Sequence, residues 1–112
     1  PNPNLTQKLE NTMKVLIVTR HTATVEWIKS TLRPTDEVSV VAHYAPGMED
    51  SFDYVVGILP MNYVADMYVR NPKIRYYQVS MEVPEEFRGK ELTIEQMDKF
   101  HASLVPYYVE VR

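Results

Sequence analysis

Arg20 and His21 form a cationic pair directly after an apolar run, and they are the residues best suited to chemistry. The run at residues 13–18 predicts a buried strand, and the apolar spacing after Thr22 predicts a helix. Arginine holds a phosphate through two parallel hydrogen bonds, and histidine can exchange a proton near neutral pH. Helix N-termini at the carboxyl ends of parallel strands also favour anions. This corner therefore predicts a site for a phosphate or another anion.

Three strand ends carry polar residues that could share one pocket, at residues 19–22, 57–62 and 80–82. In a doubly wound sheet all three open on the same edge. Asn62 could contact a base edge or a phosphate, and Ser80 could do the same. Taken singly, each has a plainer interpretation: Asn62 as a surface helix residue, Ser80 as a loop hydrogen-bonder, and the cationic pair as a solvated turn. Their convergence at one edge favours a binding pocket.

The composition is that of an ordinary globular protein. The chain has 112 residues, of which 45% are hydrophobic and 24% charged, enough for one domain but not two. No apolar run approaches the length of a membrane span, and no signal-peptide pattern opens the chain. The absence of cysteine excludes a disulfide framework, a thiolate metal site and a thiol nucleophile. We therefore expect a cytoplasmic protein with no membrane partner.

The charge and the motifs restrict the kind of ligand. A formal net charge of −3 argues against a duplex DNA binder with a broad basic field, so an anion would need a local cationic pocket. The three glycines form neither a GxGxxG fingerprint nor a Walker loop. The three histidines lack metal-ligand spacing, and we expect no metal site and no cofactor. A small anionic ligand is the favoured partner.

Alternating strand and helix patterns predict the fold. The strands are expected at residues 13–18, 37–43, 54–59, 74–79 and 107–111. The helices are expected from an N-cap at Thr22 to Pro34, from Met61 to before Pro72, and from a capping box of Thr93 and Gln96 to Pro106, with Leu104 inward. The pattern is typical of an α/β, Rossmann-like single domain with a mostly parallel sheet of about five strands and helices on its faces. The second strand is expected at an edge, with its direction open, because the link after it is near the short limit for a parallel crossover.

The first twelve residues are interpreted as a leader or an appended tail. They carry two prolines and three asparagines without sustained periodicity, and Met13 then opens the first strand abruptly. The domain is therefore expected to span residues 13–112.

Three ordered motifs resemble a known family. Residues 18–21, 56–60 and 80–92 are similar to the three signatures of the small CRISPR-associated Csx-sixteen proteins of type III systems. The resemblance spans residues 13 to about 97. It implies a Rossmann-like fold related to the sensor domains that bind cyclic oligoadenylates, and a homodimer. It also implies a ring nuclease that cuts cyclic tetra-adenylate to switch off the type III antiviral response.

The resemblance further implies roles for individual residues. Arg20 and His21 would be catalytic, with Arg20 on the scissile phosphate and His21 as acid, base or hydrogen-bond donor. Arg88 and Glu91 belong to the third signature, in a segment that is either a lid over the ligand or a salt-bridged structural loop. The residues expected to bind the ligand are Thr19, Thr22, Leu59, Pro60, Asn62, Ser80, Arg88 and Glu91.

The chemistry expected of such a site is transesterification without a metal ion. A ribose 2′-hydroxyl would attack its own 3′-phosphate in line and give a linear product with a 2′,3′-cyclic phosphate. Two other interpretations stay open. The pocket could sequester the cyclic nucleotide without cutting it, since phosphate-binding residues serve both tasks. Alternatively, the protein could be a structural adaptor for other CRISPR components.

Overall fold

The computed structural model describes residues 12–112, so the predicted leader lies outside the described residues apart from Thr12. Strands and helices alternate along this range. The strands are β1 (Lys14–Val18), β2 (Glu37–Val41), β3 (Tyr54–Gly57), β4 (Arg75–Ser80) and β5 (Ser103–Tyr107). The helices are α1 (Thr22–Thr31), α2 (Met61–Arg70) and α3 (Ile94–Lys99), and short 3-10 helices lie at Met48–Ser51 and Glu85–Phe87.

The strands form one sheet in the order β2-β1-β3-β4-β5. The first four are parallel, and β5 joins β4 in the antiparallel direction at the far edge. This confirms the predicted α/β, Rossmann-like architecture with a mostly parallel sheet. The chain moves from β1 to β2 on one side and then to β3 on the other, so the strand order reverses between β1 and β3. Ligand crevices form at such points, outside the carboxyl ends of the strands.

The second strand lies at the edge of the sheet, as expected, and the direction left open by the sequence is parallel to β1. Its register pairs Lys14 with Glu37 and Val18 with Val41. The connection from β2 to β3 contains only the short 3-10 helix Met48–Ser51. The two strands are therefore parallel without a full α-helix in the crossover between them. The parallel direction brings the residues after β2 to the same edge as Arg20.

Helices cover both faces of the sheet and bury the first strand from Val15 to Val18. Val15 and Ile17 pack in a cluster with side chains of α1 and α3, whereas Leu16 and Val18 pack in a cluster with side chains of α2. All four are at most 7% exposed. A strand that is buried on both faces has a nearly continuous apolar sequence, and residues 13–18 show this pattern. No helix within residues 12–112 has the length and apolar character needed to cross a membrane.

The end of the chain differs from the prediction. The capping box of Thr93 and Gln96 is confirmed, but α3 ends at Lys99 because His101 takes a left-handed backbone conformation with φ of 59°. The prediction that Leu104 faces inward from this helix is wrong, since Leu104 lies in β5. Pro106 also lies within β5, where an edge strand tolerates a residue without an N–H. The last strand therefore begins four residues earlier than expected.

Candidate active site

A cavity of about 790 Å³ lies at the carboxyl ends of the parallel strands, where the strand order reverses between β1 and β3. Small-molecule sites usually have volumes of about 300 to 1,000 Å³. The walls come from residues 18–21 after β1, 42–44 after β2, 57–60 after β3, and 81, 89, 90 and 92 after β4. The cavity therefore occupies the position at which this class of sheet binds its ligands.

The lining of the cavity is cationic, although the whole chain has a net charge of −3. Arg20 and Lys90 supply permanent positive charges, and the imidazoles of His21 and His43 lie in the same lining. No Asp or Glu of residues 12–112 lines the cavity. Arg20 forms no ion pair within that range, so its guanidinium is open to an anion. Within the same range, no three His, Asp or Glu side chains are grouped to hold a metal ion.

Two helices begin at the cavity, and their first turns carry backbone N–H groups without intrahelical partners. α1 follows His21 and α2 follows Pro60, and neither helix has a side-chain capping hydrogen bond. The predicted N-cap at Thr22 is wrong, because the extended backbone that an N-cap needs occurs at His21, and Thr22 is already helical. The positive ends of both helix dipoles add to the attraction for an anion.

The corner after β3 requires a close approach of two backbones. A Cβ atom on Gly57 would lie 2.8 Å from the carbonyl oxygen of Val18, so a larger residue cannot fit without moving β1. The Tyr76 hydroxyl donates to the Gly57 carbonyl at 3.1 Å and accepts from the Leu59 N–H at 2.9 Å. Burial raises the pKa of Tyr76, which keeps this hydroxyl protonated. Backbone geometry thus explains why the second signature, at residues 56–60, contains a glycine at position 57.

His21 is held by Glu91 from the segment that follows β4. The Nδ1 atom of His21 lies 2.5 Å from Oε1 of Glu91, and because a carboxylate accepts hydrogen bonds, we assign the proton to Nδ1. The backbone N–H of His21 donates to Thr19 Oγ1 at 3.2 Å. The two ion-paired side chains are 46% and 70% exposed, so the pair contributes little to stability. Its main consequence is to orient the imidazole and leave Nε2 for a ligand.

The segment between β4 and α3 forms the outer wall of the cavity and supplies four lining residues. Phe87 packs on Phe100 with ring centroids 5.2 Å apart, and the Glu82 N–H donates to the Phe100 carbonyl at 2.8 Å. Nε of Arg88 donates to the Val83 carbonyl at 3.4 Å, so this guanidinium bonds within the segment itself. These contacts are typical of a packed structural loop.

The structure brings some of the predicted site residues together and separates others. Five line the cavity: Thr19, Arg20, His21, Leu59 and Pro60. Glu91 joins them through its contact with His21. The predicted ligand-binding residues that do not line the cavity are Thr22, Asn62, Ser80, Arg88 and Glu91 itself. The site therefore centres on the ends of β1 and β3.

Ser80 lies outside the lining because side chains alternate along a strand. Val79 and Met81 line the cavity, and Ser80 between them pairs with Ser103 of β5. Thr22 and Asn62 are exposed residues in the first turns of α1 and α2, immediately beyond the lining. Their contacts with a ligand stay predictions.

Among the lining residues that the sequence did not single out, four carry a cationic, imidazole or aromatic side chain: His43, Tyr44, Tyr63 and Lys90. The first two follow β2, and a parallel direction for that strand would have brought them to this edge. Tyr63 lies three residues after Pro60, which is helical spacing for the same face of α2. Lys90 is the neighbour of Glu91 in the third motif. For His43 and Tyr44, the missing signal was therefore the direction of one edge strand.

A buried carboxylate lies behind the wall formed by Tyr44. Glu49 is 1% exposed. It accepts hydrogen bonds from the Tyr44 hydroxyl, Gly47 N–H (3.1 Å), Arg70 Nε (3.3 Å) and Asn71 Nδ2 (2.6 Å). Burial by itself would raise the pKa of Glu49, but the hydrogen bonds from Tyr44 and Arg70 outweigh it and the pKa is lowered. Burial, together with the Glu49 carboxylate, raises the pKa of Tyr44 to about 12. The Tyr44 hydroxyl therefore stays protonated and fixed.

The fold and the cavity together define an α/β domain with a cation-lined ligand site at the carboxyl edge of a mostly parallel sheet. Residues 16–110 match the family described as "Putative CRISPR-associated protein (Cas_VVA1548)", and the chain belongs to that family. Comparison with curated proteins gives no match, and comparison with solved structures gives none. CRISPR association is therefore shown, and the family description names neither a reaction nor a ligand.

Proposed function

We propose that this CRISPR-associated protein is a ring nuclease that binds cyclic tetra-adenylate and cleaves it, as its resemblance to the Csx-sixteen proteins implies. The observation that carries the proposal is the cavity. Two permanent cations, two imidazoles and two helix N-termini converge there in a chain of net negative charge. A concave cationic site attracts a compact polyanion, whereas a duplex would meet the negative field of the whole chain.

The proposed reaction is a transesterification within the ring. The 2′-oxygen of one ribose bonds to its adjacent 3′-phosphorus, while the bond from that phosphorus to the 5′-oxygen of the next nucleotide breaks. A base removes the proton of the 2′-hydroxyl, and the departing 5′-oxygen takes up a proton. The product is linear and ends in a 2′,3′-cyclic phosphate and a 5′-hydroxyl. Arg20 stabilises the charge that develops on the phosphorane, and His21 transfers a proton through Nε2.

We also propose that the active form is a homodimer and that it acts in the cytoplasm. A ring of four nucleotides is larger than a drug-sized ligand, so a cavity of about 790 Å³ would hold only part of it. A symmetric ring on a two-fold axis would offer equivalent phosphates to Arg20 and His21 of both copies. The rest of the ring would then occupy the cavity of the second copy.

Incubation with labelled cyclic oligoadenylates of several ring sizes, in the presence of EDTA, tests the proposed activity. We expect linear products with a 2′,3′-cyclic phosphate from cyclic tetra-adenylate, at a rate that the chelator does not change. Stoichiometric binding with an intact ring would support sequestration instead. Failure to bind a ring of any size would refute both and favour an adaptor role. Analysis of the products by mass spectrometry separates the three outcomes.

Replacement of Glu91 by alanine removes the hydrogen-bond acceptor of His21 Nδ1, and it distinguishes orientation of His21 from direct ligand binding. Because Glu91 contacts His21 and does not line the cavity, we expect cleavage to slow about tenfold, less than the loss of the imidazole itself. We expect kcat to fall and KM to stay unchanged. Glu86→Ala, at an exposed glutamate of the same segment, is the matched control. A raised KM with an unchanged kcat would mean that Glu91 binds the ligand directly.

A further inference from the structure

Two tyrosines form an aromatic part of the cavity wall, on the side that β2 and α2 supply. Tyr44 follows β2 and Tyr63 lies in the first turn of α2, and both line the cavity. Their ring centroids are 5.8 Å apart, with an angle of 55° between the ring planes. Both residues are half-buried. Part of each ring therefore contacts protein, and the rest is available to a ligand in the cavity.

Hydrogen bonds to its hydroxyl hold the Tyr44 ring in place. Its hydroxyl donates to the buried Glu49 carboxylate and accepts from Arg70 Nη2 at 2.9 Å. Glu49 is itself fixed by Asn71 Nδ2 at 2.6 Å. Because these bonds occupy the hydroxyl, Tyr44 presents its ring and not a polar group to the cavity. The hydroxyl of Tyr63 has no hydrogen-bond partner within residues 12–112, so it can contact a ligand.

We propose that Tyr44 and Tyr63 form a nucleobase subsite, in which a base stacks on the Tyr63 ring while Arg20 and Lys90 hold the adjacent phosphate. All four residues line one cavity of about 790 Å³, so the aromatic and the cationic parts belong to the same binding space. Stacking suits any base, because every base has a π-face. The inference deepens the proposed function and rests on it for the nature of the ligand. The proposal places the base on the wall formed by Tyr44 and Tyr63, which takes no part in the proposed reaction at the phosphate.

The buried carboxylate of Glu49 indicates that the wall formed by Tyr44 and Tyr63 has a role beyond packing of the protein interior. A carboxylate at 1% exposure has a high desolvation cost, and an apolar residue of similar size often stabilises a protein as well or better. The Glu49 cluster instead fixes the Tyr44 ring, and the Tyr63 ring packs against it with centroids 5.8 Å apart. A rigid aromatic surface binds a base with little loss of side-chain entropy. The arrangement is therefore suited to stacking.

Titration with adenosine 5′-monophosphate and ribose 5-phosphate, followed by NMR, tests the subsite without relying on cleavage. The two probes carry the same phosphate and differ in the base. We expect the wild-type protein to bind the nucleotide about tenfold more tightly or better. Tyr63→Leu, which keeps apolar bulk but removes the aromatic face, is expected to abolish this difference. Tyr63→Phe is expected to preserve it, and binding of ribose 5-phosphate is expected to stay the same in both variants.

Tyr54→Leu is the matched control, since Tyr54 belongs to another tyrosine pair, with ring centroids 5.5 Å apart, and does not line the cavity. The Tyr54→Leu variant is expected to prefer adenosine 5′-monophosphate over ribose 5-phosphate as strongly as the wild type does. Equal affinities of the two probes in the wild type, or a preference that survives Tyr63→Leu, would overturn the subsite. An intact preference in a protein that cleaves no ring would leave the subsite standing and refute the proposed nuclease.

Discussion

Replacement of Arg20 by alanine is expected to slow cleavage of cyclic tetra-adenylate by about 100-fold or more, the usual cost of losing a preorganised donor to transition-state charge. The guanidinium lies in the cavity and forms no ion pair within residues 12–112, so it is ready for the phosphate. Among the other lining residues in the described part of the chain, only Lys90 carries a permanent positive charge. His21→Ala is expected to lose about 100-fold or more as well, because it removes a proton-transfer group. Single-turnover assays with excess protein measure both effects.

Arg75→Ala is the control for the loss of a positive charge. Arg75 is exposed at the beginning of β4, so it lies at the opposite edge of the sheet from the cavity. Its removal is expected to leave the rate unchanged. Binding assays add a second distinction, since Arg20→Ala should weaken binding of the ring and His21→Ala should leave it nearly intact. Wild-type rates in both cavity variants would show that the chemistry does not occur at this corner.

The sequence predicts the parts of the site that depend on local pattern. The apolar run before Thr19 identifies a strand buried on both faces, and the turn after it must then contain Arg20 and His21. The proline after Leu59 similarly marks the corner between a strand and a helix. These two strand ends are neighbours in the observed sheet, and they form the centre of the cavity. Local pattern was sufficient because each corner lies within a few residues of its strand.

The remaining wall depends on contacts between distant segments, which local pattern does not contain. Glu49 lies in a polar loop and would be expected at the surface, yet it is buried because Arg70 and Asn71, 21 and 22 residues later, bond to it. The position of Tyr44 depends in turn on that cluster and on the direction of β2. The boundary between α3 and β5 is non-local too, since pairing with β4 draws Leu104 into the sheet. The spacing of Met97, Phe100 and Leu104 predicts a longer helix there, and the pairing of β5 with β4 overrides it.

Replacement of Glu49 by alanine is expected to lower the free energy of unfolding by about 2 to 3 kcal/mol. The change leaves the Tyr44 hydroxyl, the Gly47 N–H and Arg70 Nε without this acceptor. Asn71 Nδ2 then keeps only its bond to Asp50 Oδ1. Urea unfolding followed by fluorescence of Trp27, the single tryptophan and 6% exposed, measures the loss. Asp66→Ala removes an exposed carboxylate of α2 and is expected to change stability by less than about 0.5 kcal/mol. Equal stabilities of the two variants would contradict a structural role for Glu49.

The contribution of Glu49 should also depend on pH in one direction only. Its pKa in the folded protein lies below the ordinary value of 4.5, so the folded state binds a proton there more weakly than the unfolded state. The stabilisation is therefore complete above about pH 4.5 and is lost as the pH falls through the folded-state pKa. Glu49→Gln cannot titrate, so the difference in stability between wild type and this variant should shrink on acidification below pH 4.5. A difference that stays constant down to the acid transition would mean that the hydrogen bonds of this cluster do not favour the charged carboxylate.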